Sequence, residues 1–193
     1  MQVLRTRIIS RDSQNYPISA QHLFKTNDKF LFDMSSFDKY IVKSIDAVVG
    51  GISDEMTSHI LTMIPMDMSK TMQLSSHLNI VVNGRYEVAI NLDVIDGLAN
   101  GASGTVEKVQ LAGNSSRASG TVLMLYDDDK VGAKSRTSSK HMYKVGIDVS
   151  WTPIQPVSRQ FQVGRSHNAQ VIRKQFPLDI PEQRQFIDVK GIH

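Results

Sequence analysis

The chain is 193 residues long, 40% hydrophobic and 21% charged, enough for one ordinary domain or two small ones and too apolar for wholesale disorder. Its net charge of +3 and pI near 9.1 lean basic only modestly. Cysteine is absent, which excludes disulfides, thiolate metal sites and cysteine nucleophiles together and fits a reducing compartment. No apolar run approaches the ~18 residues of a membrane span, and the first residues carry no signal-peptide apolar stretch, so no membrane partner is expected.

In chain order, the first third reads as mixed α and β. Gln21 to Thr26 is a short apolar run suited to a buried strand. Asn27 and Asp28 follow as caps for a short helix carrying Phe30, Leu31 and Met34 on one side. Tyr40 to Asp46 alternates as a strand does, and Gly50-Gly51 breaks it. Ser53 then caps a segment whose Met56, Ile60, Met63 and Ile64 recur at helical spacing until Pro65 stops it. The methionines here are adaptable core filler on a helix and its following loop.

From Leu78 the chain turns β-rich. Tyr86, Val88, Ile90 and Leu92 alternate with Glu87, Ala89 and Asn91, which predicts a strand with one apolar face. Asp96-Gly97 and Asn100-Gly101 are turn dipeptides, because Asn, Asp and Gly tolerate positive φ. Further strands are expected at Gly104 to Leu111, Thr121 to Tyr126 and Tyr143 to Val149, with the last ones at Phe161, Val163 and Val171 to Phe176. Polar stretches from Gly113 to Ser119 and from Asp127 to His141 read as exposed loops. Short strands at this spacing suggest a small barrel or sandwich.

Catalytic signatures are missing. The chain has no GxxxxGK[ST] phosphate loop, no HExxH and no GxSxG, and its six histidines show no metal-ligand pairing. Asp127-Asp128-Asp129 reads as a solvated turn, since adjacent side chains on a strand end diverge and do not converge on a cation. Charge is unevenly spread: from Val149 to Leu178 there is no acid, while Arg159, Arg165, Arg173 and Lys174 are all cationic. Such a stretch is either a solvated strand surface or a face for a phosphate backbone. Trp151 and Phe161 lie within it as candidate base-stacking platforms, although a lone Trp is more often core.

Four stretches resemble, in order, one family. His22 to Asn27 is similar to the strand-to-helix start of the second motor domain of Pif-type DNA helicases, relatives of the bacterial RecD helicases. Lys43 to Gly50, continuing through Pro65 to Ser69-Lys70-Thr71-Met72, resembles the segment that follows in transposon-associated animal members. Tyr86 to Val106 resembles the family's strand, Gly-Leu-x-Asn-Gly turn and second strand, and Trp151 to Leu178 the return to the motor domain. The family's phosphate loop and acidic metal motif are absent. After Leu178 its Thr-Ile-His motif is also missing, as in a divergent or frame-shifted tail.

The resemblance implies an α/β plus β fold: a partial RecA-like (P-loop NTPase-type) second motor domain over residues 1–77, an inserted SH3-like β-barrel with its return strand over 78–178, and a divergent tail over 179–193. It implies a fragment of an ATP-dependent 5′-to-3′ DNA helicase, nuclear, whose full-length parent uses ATP and Mg2+ while this chain alone binds neither. The expected partners are single-stranded DNA and the parent's missing first motor domain. Candidate nucleic-acid contacts are Lys25, Asn27, Asn100, Gly101, Arg159, Arg165, Arg173 and Lys174, with no catalytic or metal residue. Leu98 is expected to fold back as a plug on the barrel. Two other readings stay open: a non-enzymatic single-stranded nucleic-acid-binding module, and an inactive transposon relic without a stable fold.

Overall fold

Ten strands form three sheets in the computed structural model, which describes residues 38–50, 52–113, 116–164 and 169–181. These residues belong to one unit, Asp38–Glu182. The strand and helix expected between Gln21 and Met34 lie outside the described residues. The stretch read as one strand from Tyr40 to Asp46 is two, β1 (Lys39–Lys43) and β2 (Ile45–Val49), and they enter different sheets. Ser44 is the joint, and its N–H donates to Ser76 O at 2.9 Å.

Helix α1 (Asp54–Thr62) starts as its sequence predicts. The Ser53 hydroxyl accepts from Met56 N at 3.3 Å, and Asp54 and Glu55 complement the helix dipole in the first turn. Ile60 is buried, and Met63 and Ile64 pack beside it against Phe161, Val163, Ala169 and Val171. Met56, Met66 and Met72 face solvent instead of filling the core.

β3 (His77–Val81) pairs antiparallel with β1. It is followed by β4 (Arg85–Val88), β5 (Ser103–Leu111), β6 (Gly120–Tyr126) and β7 (Thr152–Ile154). With β10 (Leu178–Asp179) the last four make a five-stranded sheet in the order β10-β4-β5-β6-β7. Its edge strands β10 and β7 do not pair with each other, so the sheet is open rather than a closed barrel. Tyr86, Val88, Val106, Val122, Met124 and Ile154 from this sheet meet Val42, Leu78 and Ile80 from the β1–β3 pair in the main core. The Tyr86 hydroxyl joins the two groups, accepting from Val81 N and donating to Asn79 O, both at 2.9 Å.

β8 (Val157–Val163) and β9 (Ala169–Gln175) return beside β2 as a three-stranded sheet, β2-β9-β8. Every pairing between named strands is antiparallel. A parallel motor-type sheet is therefore not among the described residues.

Three local expectations are corrected. Tyr143 to Val149 forms turns, not a strand: Gly146 takes φ 84° and the Ile147 N–H bonds back to Lys144 O at 3.0 Å, leaving no extended edge to pair. The apolar face expected from Tyr86 to Leu92 stops being a strand at Val88, where Ala89 N turns to Pro177 O at 2.9 Å. The polar stretch from Asp127 to His141 holds a short helix, α2 (Ala133–Ser138), and the stretch from Gly113 to Ser119 buries Ala118 in the main core.

Candidate nucleic-acid interface

The turn after β4 is built by its polar side chains. Asp93 Oδ1 accepts from Ile95 N and Asp96 N at 3.2 Å, and Leu98 N returns to Asp93 O at 2.9 Å. Gly97 and Gly101 take φ of 74° and 87°, which a side-chain-bearing residue adopts only with strain. Leu98 folds back into the main core as its place in the turn suggests. Asn100 and Gly101 are exposed, with Asn100 N held by Asn91 Oδ1 at 2.9 Å and Gly101 N by Val88 O at 2.8 Å. Both candidate contacts at this turn are thus open to solvent.

Asp96 has a second task that the sequence conceals. Its carboxylate accepts from Lys134 N at 2.7 Å, from Ser135 N at 2.8 Å and from Ser135 Oγ at 2.6 Å. The N-cap position of α2 is Gly132, which has no side chain to offer. Asp96 caps that helix from across the turn. Burial pushes the Asp96 carboxyl up, but the Ser135 hydroxyl and the two amides outweigh it and hold it below the usual range. Lys134 does the same for Asp93 by a charge-assisted bond of 2.8 Å.

The basic strands separate. In the three-stranded sheet Arg159, Arg173 and Asp46 sit opposite one another across the ladders, as do Ser158, Lys174 and Ile45 one residue over. Alternation along a strand puts the first row on the face turned toward α1 and the second on the other face. Arg159 and Lys174 therefore point to opposite sides and do not form one patch. Arg159 is half-buried and Lys174 is likewise partly exposed.

Arg173 departs furthest from the expected DNA-facing role, because it is only 2% exposed. Its Nε and Nη2 donate to the two oxygens of Asp46 at 2.8 Å each, and Nη1 donates to Leu74 O at 3.0 Å. The guanidinium also lies 5.6 Å from the Phe161 ring centre. Its donors are engaged inside the protein, so it holds the fold and is not presented to a phosphate. Phe161 is buried under it and is no stacking platform; Trp151 is partly exposed. Lys25, Asn27 and Arg165 lie outside the described residues.

The acidic triplet is a solvated turn with an internal partner. Asp127 takes a two-point ion pair from Arg85, at 3.0 and 2.5 Å, which lowers its pKa, while Asp128 accepts from Lys130 N at 2.9 Å. Among the described residues no group of three or more His, Asp or Glu is placed to hold a metal ion.

One cationic feature escaped sequence reading. Lys108 and Gln110 on β5, together with His141, Lys144, Val145 and Ile147 from the turn-forming segment, line an open cleft of about 440 Å³. Lys140, His141 and Lys144 lie close in the sequence, but a paired strand over Tyr143 to Val149 would not have set Lys144 beside Lys108 in this way.

No protein-family model matches the chain, and no curated protein matches it either. Solved structures of Pif1 helicases are among those it resembles. They include Pif1 of Bacteroides sp. in complex with ADP-AlF4, at 15% identity over 90% of this chain and 31% of that one, with a TM-score of 0.42. Another is the Pif1 helicase of Candida albicans, at 17% identity over 86% of this chain and 36% of that one, with a TM-score of 0.39. The chain spans about a third of the length of these solved chains.

Proposed function

We propose that the chain is the insert-bearing part of an ATP-dependent 5′-to-3′ DNA helicase and contributes single-stranded DNA contact, not nucleotide hydrolysis. The motor identity rests on the sequence resemblance of four ordered stretches. The structural observation that supports it is the way the chain leaves and returns. β2, near the start of the described residues, pairs with β9 near their end, while the five-stranded sheet is built largely from the residues between them. Gln175 knits the two crossing points together, its Nε2 donating to Val42 O at 3.1 Å and to Ser75 O at 3.2 Å. Such a path is compatible with a module inserted into a host domain, as the SH3-like barrel of the resembled family is inserted into its second motor domain. The host would be the RecA-like motor, completed by the parent's first motor domain, where ATP and Mg2+ would bind.

Phosphoryl transfer needs a phosphate cradle and metal ligands, and this sequence encodes neither signature. The purified chain should show no DNA-stimulated ATP hydrolysis; turnover that survives removal of contaminating ATPases would overturn that part. Contact with DNA falls to Asn100 and Gly101, exposed at the turn, and to the partly exposed Arg159 or Lys174 on opposite sheet faces, with Lys25, Asn27 and Arg165 as further candidates. A titration with a single-stranded oligonucleotide should show affinity falling linearly in log–log with salt, by about 0.7 per phosphate neutralised. Arg159→Gln and Lys174→Gln, made separately, tell which face is used. No binding at low salt would remove the reading.

A further inference from the structure

The cleft beside β5 brings cationic and apolar side chains together. Its cationic side comes from Lys108 and Lys144, with Gln110 and His141 as additional hydrogen-bonding groups. Lys108 is steadied there by donating to Gly146 O at 3.3 Å, which also ties the turn segment to the strand. Among the described residues neither lysine belongs to an ion pair. The apolar side is Val145 and Ile147, and Val145 is fully exposed. An unpaired strand edge does not explain that exposure, because the segment is folded on itself by bonds from Lys144 N to Met142 O and from Ile147 N to Lys144 O, both 3.0 Å.

Acids are chain neighbours of the lining residues but are not part of the lining. Asp148 follows Ile147, and its charge lifts the half-buried Glu107 above the usual carboxylate range, after the larger effect of burial. Asp148 itself is turned to Ser150, accepting from Ser150 N at 2.8 Å and Ser150 Oγ at 2.7 Å. The lining itself is cationic and apolar together.

We infer that this cleft is a binding subsite for a segment of single-stranded nucleic acid, with a phosphate on Lys108 and Lys144 and the adjoining base against Val145 and Ile147. Duplex DNA would show the cleft phosphates but not free base faces, whereas a single strand offers both. The inference deepens the proposed single-stranded DNA contact and rests on it, but assigns it to residues outside the acid-free stretch.

The test is fluorescence titration of the full chain with a labelled oligo-dT and with an abasic deoxyribose-phosphate strand of equal length. Lys144→Gln should weaken both, and Lys108→Gln with Lys144→Gln should lower the log–log salt slope by about 0.7, the share of one phosphate on a single strand. Val145→Ser should weaken oligo-dT about threefold and leave the abasic strand unchanged, since it removes apolar side-chain surface that only a base would cover. Asp148→Asn should tighten both. An unchanged melting temperature for Lys144→Gln and Val145→Ser shows that the fold is intact. If oligo-dT binds and only Arg159→Gln or Lys174→Gln weakens it, the cleft is excluded and the proposed function stands. If the wild-type chain binds neither strand at low salt, both are lost. Loss of abasic and oligo-dT binding alike on Val145→Ser would also refute the base contact.

Discussion

Arg173 shows how one side chain decides what a basic sequence means. Its row on the sheet is Asp46, Arg173, Arg159, and the first two satisfy each other in the interior. Removing one partner of such a pair leaves a poorly solvated charge behind, which commonly costs 3–5 kcal/mol. Asp46 is partly exposed and can rehydrate, so Arg173→Met should cost about 3 kcal/mol in urea unfolding, the lower end of that range. Adding Asp46→Leu should recover most of the loss. A variant as stable as wild type would mean that the ion pair is not buried in solution. Arg159→Gln, by contrast, should change stability by less than about 0.5 kcal/mol, as surface substitutions do.

At the scale of elements, α2 stands out because six residues are too few to hold a helix by propensity. It is held by Asp96 from a different part of the chain and by Arg136, whose Nη1 donates to Val131 O at 2.7 Å and to Thr152 Oγ1 at 2.8 Å. Gly132 makes the approach possible: a Cβ there would lie 2.4 Å from the Thr152 Cγ2. Asp96→Ala should cost about 1–2 kcal/mol, as the loss of a strong cap does, and should raise amide exchange across Ala133 to Ser138 first. The carboxyls of Asp93, Asp96 and Asp127 all sit below their ordinary values in the folded protein. A depressed folded pKa adds stability that is present above the unfolded value and lost as pH falls through the folded one. The melting temperature should therefore drop as pH falls below about 4, and the drop should be shallower in Asp96→Asn. Equal acid profiles for the two proteins would contradict the cap.

For the molecule as a whole, the main core joins the β1–β3 pair to the five-stranded sheet, and Gln175 ties the entry and return segments. A chain knit this way should unfold in one cooperative thermal transition over Asp38–Glu182; a broad, non-cooperative melt would favour the relic reading. The open edges of the five-stranded sheet are short, β10 with two residues and β7 with three, and short edges resist edge-to-edge association.

Local chemistry was legible in the sequence wherever neighbours in the chain supply the partners. Ser53 announced α1, the Asp-Gly and Asn-Gly dipeptides announced the turn, and short apolar runs between turn signals announced β5, β6, β8 and β9. Those signals depend on backbone preference and on period, which a sequence carries in full. What it could not carry was which distant group answers each polar side chain. Arg173 and Asp46 are far apart in the chain, as are Asp96 and Ser135, yet each pair is in hydrogen-bond contact. Only the tertiary structure sorted the cations into a buried ion pair, two opposite sheet faces and a cleft, because the sign of a charge is local but its exposure depends on everything folded around it.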